Sequence, residues 1–173
     1  LQLFRMVPDI LVWYFCLLPT CKGVLLADMH PVVHLFVLDV VSDLFGTLAH
    51  LGMHKCPPLR PYHYVHHQKT STFHNHPIDL VVMMTAKLGV PLALLPVPSA
   101  ALLWCFLFAT MFTSMAHHTA APWGYWVSLC WVVPFGLRLP PGHHLVHHRD
   151  PNRHFGENWA IWDWALTSLQ NKP

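Results

Sequence analysis

The sequence predicts an all-α, multi-pass membrane protein with about four transmembrane helices in two hairpins and a His-rich helical cap on one face. Three observations carry this. Apolar residues make up 54% of the 173-residue chain and charged residues only 10%, whereas a soluble domain carries about 25% charged residues. The apolar residues gather into long runs. There are sixteen histidines against eight Asp and Glu together, and fourteen of them crowd into two stretches, 50–76 and 117–154, that follow apolar runs.

The first apolar run spans about Val7 to Leu26 and is broken by Pro19 and Lys22. The second spans about Pro31 to Leu51 and carries Asp39 and Asp43. The third and fourth, Ile78 to Leu95 and Ser99 to Met115, flank Pro96-Val97-Pro98, a pattern that ends one helix and turns the chain back. A spanning helix needs about 20 apolar residues, with a range of roughly 17 to 25, so the last two sit at the short edge. A fifth run, Tyr125 to Leu137, is too short to cross and reads as interfacial. Two hairpins return the chain to one side after Leu51 and after Met115. The His-rich segments 50–76 and 117–154 then share that side with Arg5, Lys55, Arg60, Lys69, Arg138, Arg149, Arg153 and Lys172. The positive-inside rule makes this face cytoplasmic.

The formal charge of +2 is too small to suggest a nucleic-acid partner. The five cysteines, Cys16, Cys21, Cys56, Cys105 and Cys130, form no CxxC pair, which argues against a disulfide scaffold or a thiolate zinc site. Many imidazoles and few carboxylates favour a nitrogen-ligated transition metal over calcium or magnesium. The single Glu, Glu157, excludes the carboxylate-rich di-iron design of soluble helical bundles.

The histidines form three boxes. His50 and His54 are an HxxxH at the end of the second apolar run. His63, His66 and His67 are an HxxHH, and His144, His147 and His148 are a second HxxHH directly after His143. Residues three and four apart share a helical face, so each box presents its rings together. Two metal ions with four or five imidazole ligands each need about eight to ten histidines. The boxes supply eight, and His76 with His118 (or its neighbour His117) completes ten. His30 and His34 read as interfacial residues without a ligand role, and His74 and His154 as surface or supporting residues. Asp43, two helical turns before His50, is placed to orient a ligand histidine.

This pattern resembles the fatty acid hydroxylase/sterol desaturase superfamily of membrane histidine-box di-iron oxygenases. The likeness extends to His76-Pro77, to His118-Thr-Ala-Ala-Pro122, to the doubled His143-His144, and to His154-Phe155-Gly156 followed by Trp162-Asp163. The chain departs where the first box reads His50-Leu51 rather than His-Arg, and where Ala165-Leu166-Thr167 stands in place of Phe-Gly-Thr. The resemblance implies an O2-dependent lipid oxidoreductase. It would hydroxylate or desaturate a sterol or fatty acyl chain, with two iron ions as cofactor and O2 as co-substrate. A membrane lipid would be the substrate. Electrons would come from a separate cytochrome b5-, ferredoxin- or reductase-like partner, since no His-Pro-Gly-Gly heme motif is present. In a eukaryote the location would be the endoplasmic reticulum membrane. The implied organisation is an N-terminal transmembrane region at 1–38, a catalytic domain at 39–168 and a tail at 169–173. Two alternatives stand beside it: a membrane fatty acyl desaturase, whose first two boxes are usually further apart, and a membrane metal-binding or transport protein without enzymatic activity.

Overall fold

In a computed structural model the chain is helical, and the structure describes residues 30–68, 74–95, 97–117, 136–140 and 142–170. Helix α1 is Pro31–Lys55, α2 is Arg60–His67, and α3 is Pro77–Met84. A π-helical turn, Thr85–Gly89, joins α3 to α4, Val90–Leu94. Helix α5 is Ala100–His117, α6 is His143–Arg149 and α7 is Ala160–Gln170. Among the described residues, two helices are long and apolar enough to cross a membrane, Pro31–Lys55 and the continuous Pro77–Leu94. The first and fifth apolar runs of the sequence lie largely outside the described residues, so the count of four spans stays an expectation.

Helix α1 is organised by a four-residue period. His34, Leu38, Ser42, Gly46, His50 and His54 are all buried along one stripe, with Asp43 and Thr47 beside it. The opposite face exposes Val32, Val33, Phe36 and Leu48. A soluble amphipathic helix turns its apolar face inward; this one buries its polar stripe and exposes its apolar side, as suits a helix surrounded by lipid tails. Pro31 sits at the first helical position, where its missing N–H costs nothing, and His30 caps the start by accepting from the Val32 N–H at 3.3 Å.

The hairpin of α3, α4 and α5 packs on that stripe. Pro91 cannot donate a hydrogen bond to the carbonyl of Lys87, four residues earlier. The helix widens into its π turn there, and the Ser42 hydroxyl donates to the Lys87 carbonyl at 2.6 Å. Gly46 lies under the Lys87 stem: a Cβ on it would come within 2.9 Å of Lys87 Cγ. The Lys87 ammonium is buried, pairs with the Glu157 carboxylate and donates to Ser114 Oγ at 2.9 Å. A small apolar core of Leu38, Leu88 and Phe106 closes the region. On α5, Trp104, Phe108 and Phe112 form an exposed ladder four residues apart, with ring centroids 5.9 and 6.3 Å apart.

The C-terminal part docks through the acidic residues of α1. Asp43 accepts from the backbone N–H groups of Asn158 and Trp159 at 2.9 and 2.8 Å. Asp39 pairs with Arg138 and accepts from Trp159 Nε1 at 2.9 Å. Residues 137–139 and 158–160 pair antiparallel through Leu139 N–H to Asn158 O, 2.8 Å, and Ala160 N–H to Leu137 O, 2.9 Å. The expectation that Asp43 orients a ligand histidine is therefore corrected. Both its oxygens are taken by backbone donors of the returning segment, so it fixes where residues 155–159 lie rather than how a ring points.

Candidate metal centre

Eight box histidines converge where α1, α2 and α6 meet. They fall into two groups, each offering ring nitrogens within 4.8 Å of one another: His50, His54, His63, His67 and His147 in one, and His66, His144 and His148 in the other. The division follows helical geometry. The HxxxH box gives both rings to the five-His group. Helix α2 sends His63 and His67, one turn apart, to that group and His66 to the other. Helix α6 sends His144 and His148 to the three-His group and His147 to the five-His group.

Hydrogen bonds set the ring tautomers. His50 Nδ1–H donates to the Phe155 carbonyl (3.1 Å), His63 Nδ1–H to Asp79 Oδ1 (2.9 Å), and His147 Nδ1–H to the Arg153 carbonyl (2.6 Å). Each partner only accepts, so each ring keeps its Nε2 lone pair for another use. The Nε2 atoms of His50 and His63 are buried and have no hydrogen-bond partner among the described residues, an expensive state in a protein interior. Burial pushes the His147 imidazole down to about 4, against the opposing effect of its bond to the Arg153 carbonyl. It is therefore neutral near pH 7, the form that binds metal.

The spacing of the ring nitrogens fits metal binding. Imidazole nitrogens about 2.1 Å from one ion stand roughly 3.0 Å apart at a right angle and roughly 3.4 Å apart at a tetrahedral angle. In the five-His group, His54 Nε2 lies 2.9 Å from His147 Nε2 and 3.2 Å from His67 Nε2. In the three-His group, His66 Nε2 lies 3.1 Å from His148 Nε2 and 3.4 Å from His144 Nε2. Nitrogens facing one another at these separations are arranged as ligands around a cation, and His147 is in addition held from behind by the Arg153 carbonyl.

A partly open cleft of about 150 Å³ reaches both groups. His50, His63, His66 and His144 line its inner end, and Met83, Met84, Trp104, Leu107, Phe108 and Met111 line its apolar body. Lys87 and Glu157 also face it. Its walls are the hairpin of α3–α5, so it runs from the histidines along the membrane-facing helices.

Of the ten expected ligands, the structure gathers eight. His76 stands apart from both groups: its Nδ1 caps α3 by accepting from the Ile78 N–H at 3.2 Å, and its ring lies on Tyr62 with centroids 4.6 Å apart. Capping suits a residue just before a proline at the first helical position. His118 lies outside the described residues. His34, expected at an interface, is instead fully buried, and neither ring nitrogen has a partner among the described residues. Sequence reading missed Asp79. The available signal was an ionisable residue inside an apolar run, the same sign that singled out Asp39 and Asp43.

A sequence profile described as fatty acid hydroxylase matches residues 11–168. The chain belongs to the fatty acid hydroxylase family. It is 30% identical over 158 residues to the cholesterol 25-hydroxylase of Rattus norvegicus, covering 83% of this chain and 48% of the relative. To the ornithine lipid hydroxylase OlsE of Rhizobium tropici it is 29% identical over 155 residues, covering 84% of this chain and 45% of the relative. The chain spans about half the length of these curated relatives. No solved structure matches. The family and both relatives are hydroxylases, and the apolar helices of this member suit a membrane setting.

Proposed function

We propose that this fatty acid hydroxylase family member is a membrane-embedded di-iron oxidoreductase that hydroxylates the hydrocarbon part of a lipid. The observation that carries the reading is the convergence of three separated boxes into two nitrogen-lined groups at the inner end of an apolar cleft. His50, His54, His63, His67 and His147 would hold one ion, and His66, His144 and His148 the other, with His118 as a further ligand. Two irons, when bound, would activate O2, the oxidant, so that one of its oxygen atoms could enter a C–H bond. Two electrons and two protons carry the second oxygen to water.

The residues of this chain do the rest. Phe155 O, Asp79 and Arg153 O hold three rings in one tautomer and orientation, so the ligand nitrogens are fixed before metal arrives. The Met, Leu and aromatic walls of the cleft take an alkyl chain or sterol body out of the bilayer and exclude water from the reacting carbon. The similarity to a cholesterol hydroxylase and to an ornithine lipid hydroxylase supports a lipid substrate. Electrons come from a separate cytochrome b5-, ferredoxin- or reductase-like protein. Four spans in two hairpins, with the histidines on the cytoplasmic face, complete the proposed topology; in a eukaryote this is the endoplasmic reticulum membrane.

The test is lipid oxidation by membranes carrying the full chain. His147→Ala and His148→Ala are each expected to abolish the product and lower bound metal while leaving insertion intact. Full activity in both variants would refute the assignment. An unsaturated rather than hydroxylated product would move the chain to the desaturase reading.

A further inference from the structure

A third set of metal-ligating atoms lies outside the two groups of box histidines. His143, His154 and Asp163 each bring one ligand atom within 4.8 Å of the others. His143 begins α6, His154 sits in the loop after it, and Asp163 lies in the first turn of α7. The Asp163 carboxylate is divided between two tasks. Its Oδ1 accepts the Gly156 N–H at 2.8 Å. Its Oδ2 faces His143 Nε2 at 3.2 Å and His154 Nδ1 at 3.9 Å.

Hydrogen bonding accounts for only part of this arrangement. The contact to His143 is within reach of a hydrogen bond; the contact to His154 is too long for one. Yet the His154 ring is held perpendicular to that of His143, with centroids 5.0 Å apart and planes at 89°. It is carried there by a left-handed backbone, φ 59°, which a non-glycine residue adopts at a cost. One ion about 2.1 Å from each donor would set tetrahedral donor separations of roughly 3.4 Å, between the two distances to Asp163 Oδ2. The side chains of His143, His154 and Asp163 are 16%, 39% and 12% exposed, so an ion reaches them from water without entering the cleft.

We propose that His143, His154 and Asp163 form a separate, peripheral site for a single zinc-type divalent cation, with water in the remaining position. Two imidazoles and one carboxylate select a borderline transition metal over calcium or magnesium. The ion would clamp together the start of α6, the loop at 150–156 and the start of α7. That loop carries the Arg153 and Phe155 carbonyls that hold His147 and His50, so the clamp fixes the supports of the central ligands from outside. It is a structural ion and takes no part in oxidation.

The experiment is equilibrium uptake of Zn2+ by the full chain in detergent, wild type against His154→Ala. The part-exposed position makes this variant a mild one for folding. Wild type is expected to bind one equivalent more than His154→Ala, and added Zn2+ to raise the melting temperature of wild type more than that of the variant. Asp163→Asn is expected to lose the same equivalent. Equal uptake by wild type and His154→Ala overturns the proposal. The difference between the two proteins reads this site alone, whereas the uptake that remains in His154→Ala reads the central cluster, so failure of one assignment is distinguishable from failure of the other.

Discussion

Helices α2 and α6 carry the same HxxHH spacing and divide their histidines between the two ligand groups in opposite senses. Helix α2 gives its first and last rings to the five-His group; α6 gives its middle ring. The supports differ as well. His63 on α2 is backed by a side-chain carboxylate, Asp79, whereas His147 on α6 is backed by a backbone carbonyl, that of Arg153. One spacing thus serves either group, and what distinguishes the two helices is what stands behind each ring. A carboxylate can be removed by substitution; a carbonyl cannot.

The largest expected effect follows from that contrast. Asp79→Ala removes the acceptor of His63 Nδ1 and leaves that ring free to rotate. Metal affinity should fall about 10- to 100-fold, read by metal titration of the purified chain; an affinity within twofold of wild type would show that the carboxylate does not orient the ring. Next comes the bridge between the two supports. Lys87 follows the helix that carries Asp79, and its ion-pair partner Glu157 follows the loop that carries the Arg153 carbonyl. Lys87→Met leaves a buried carboxylate without its cation and should cost about 3 to 5 kcal/mol of stability. Lys87→Met combined with Glu157→Gln should recover most of that loss, measured as the difference in denaturation midpoint. No recovery in the double variant would assign the single-variant effect to packing.

The α6 side also has a pH signature. His147 sits at about 4 when folded, against 6.5 when free. As pH falls below about 6.5 the unfolded chain takes up this proton while the folded chain does not, so stability falls. Metal-free protein should therefore be most stable above pH 6.5 and lose stability down to about pH 4, with His147→Ala flattening part of the slope in denaturation curves. The smallest effect is Arg153→Ala. The backbone carbonyl survives the substitution and the side chain is exposed, so stability should stay within about 0.5 kcal/mol and metal content should be unchanged. A large loss of metal would mean that the side chain supports the site.

The boxes were legible because a local rule governs them: residues three and four apart on a helix share a face, and no tertiary knowledge is needed to group His63, His66 and His67. The end of one helix at Leu94 and the start of the next at Ala100 were legible for the same local reason, from the prolines between them. The π turn was not, because it depends on Ser42 reaching a carbonyl 45 residues away that Pro91 leaves without a donor. The Lys87–Glu157 pair spans 70 residues and was likewise hidden. Asp43 shows the opposite error: its helical register with His50 was read correctly, but its oxygens belong to donors that arrive from residues 158 and 159. His76 was counted as a ligand because it and His118 bring the number to ten; in the structure its Nδ1 caps a helix that begins with proline.

The central claim is that the three boxes assemble two ion sites, and the iron content of the purified full chain tests it most directly. Elemental analysis should give two iron ions per chain in wild type. His54→Ala and His66→Ala, one from each group, should each lower that ratio. A wild-type ratio of one or below after iron loading, or a ratio unchanged in both variants, would contradict it.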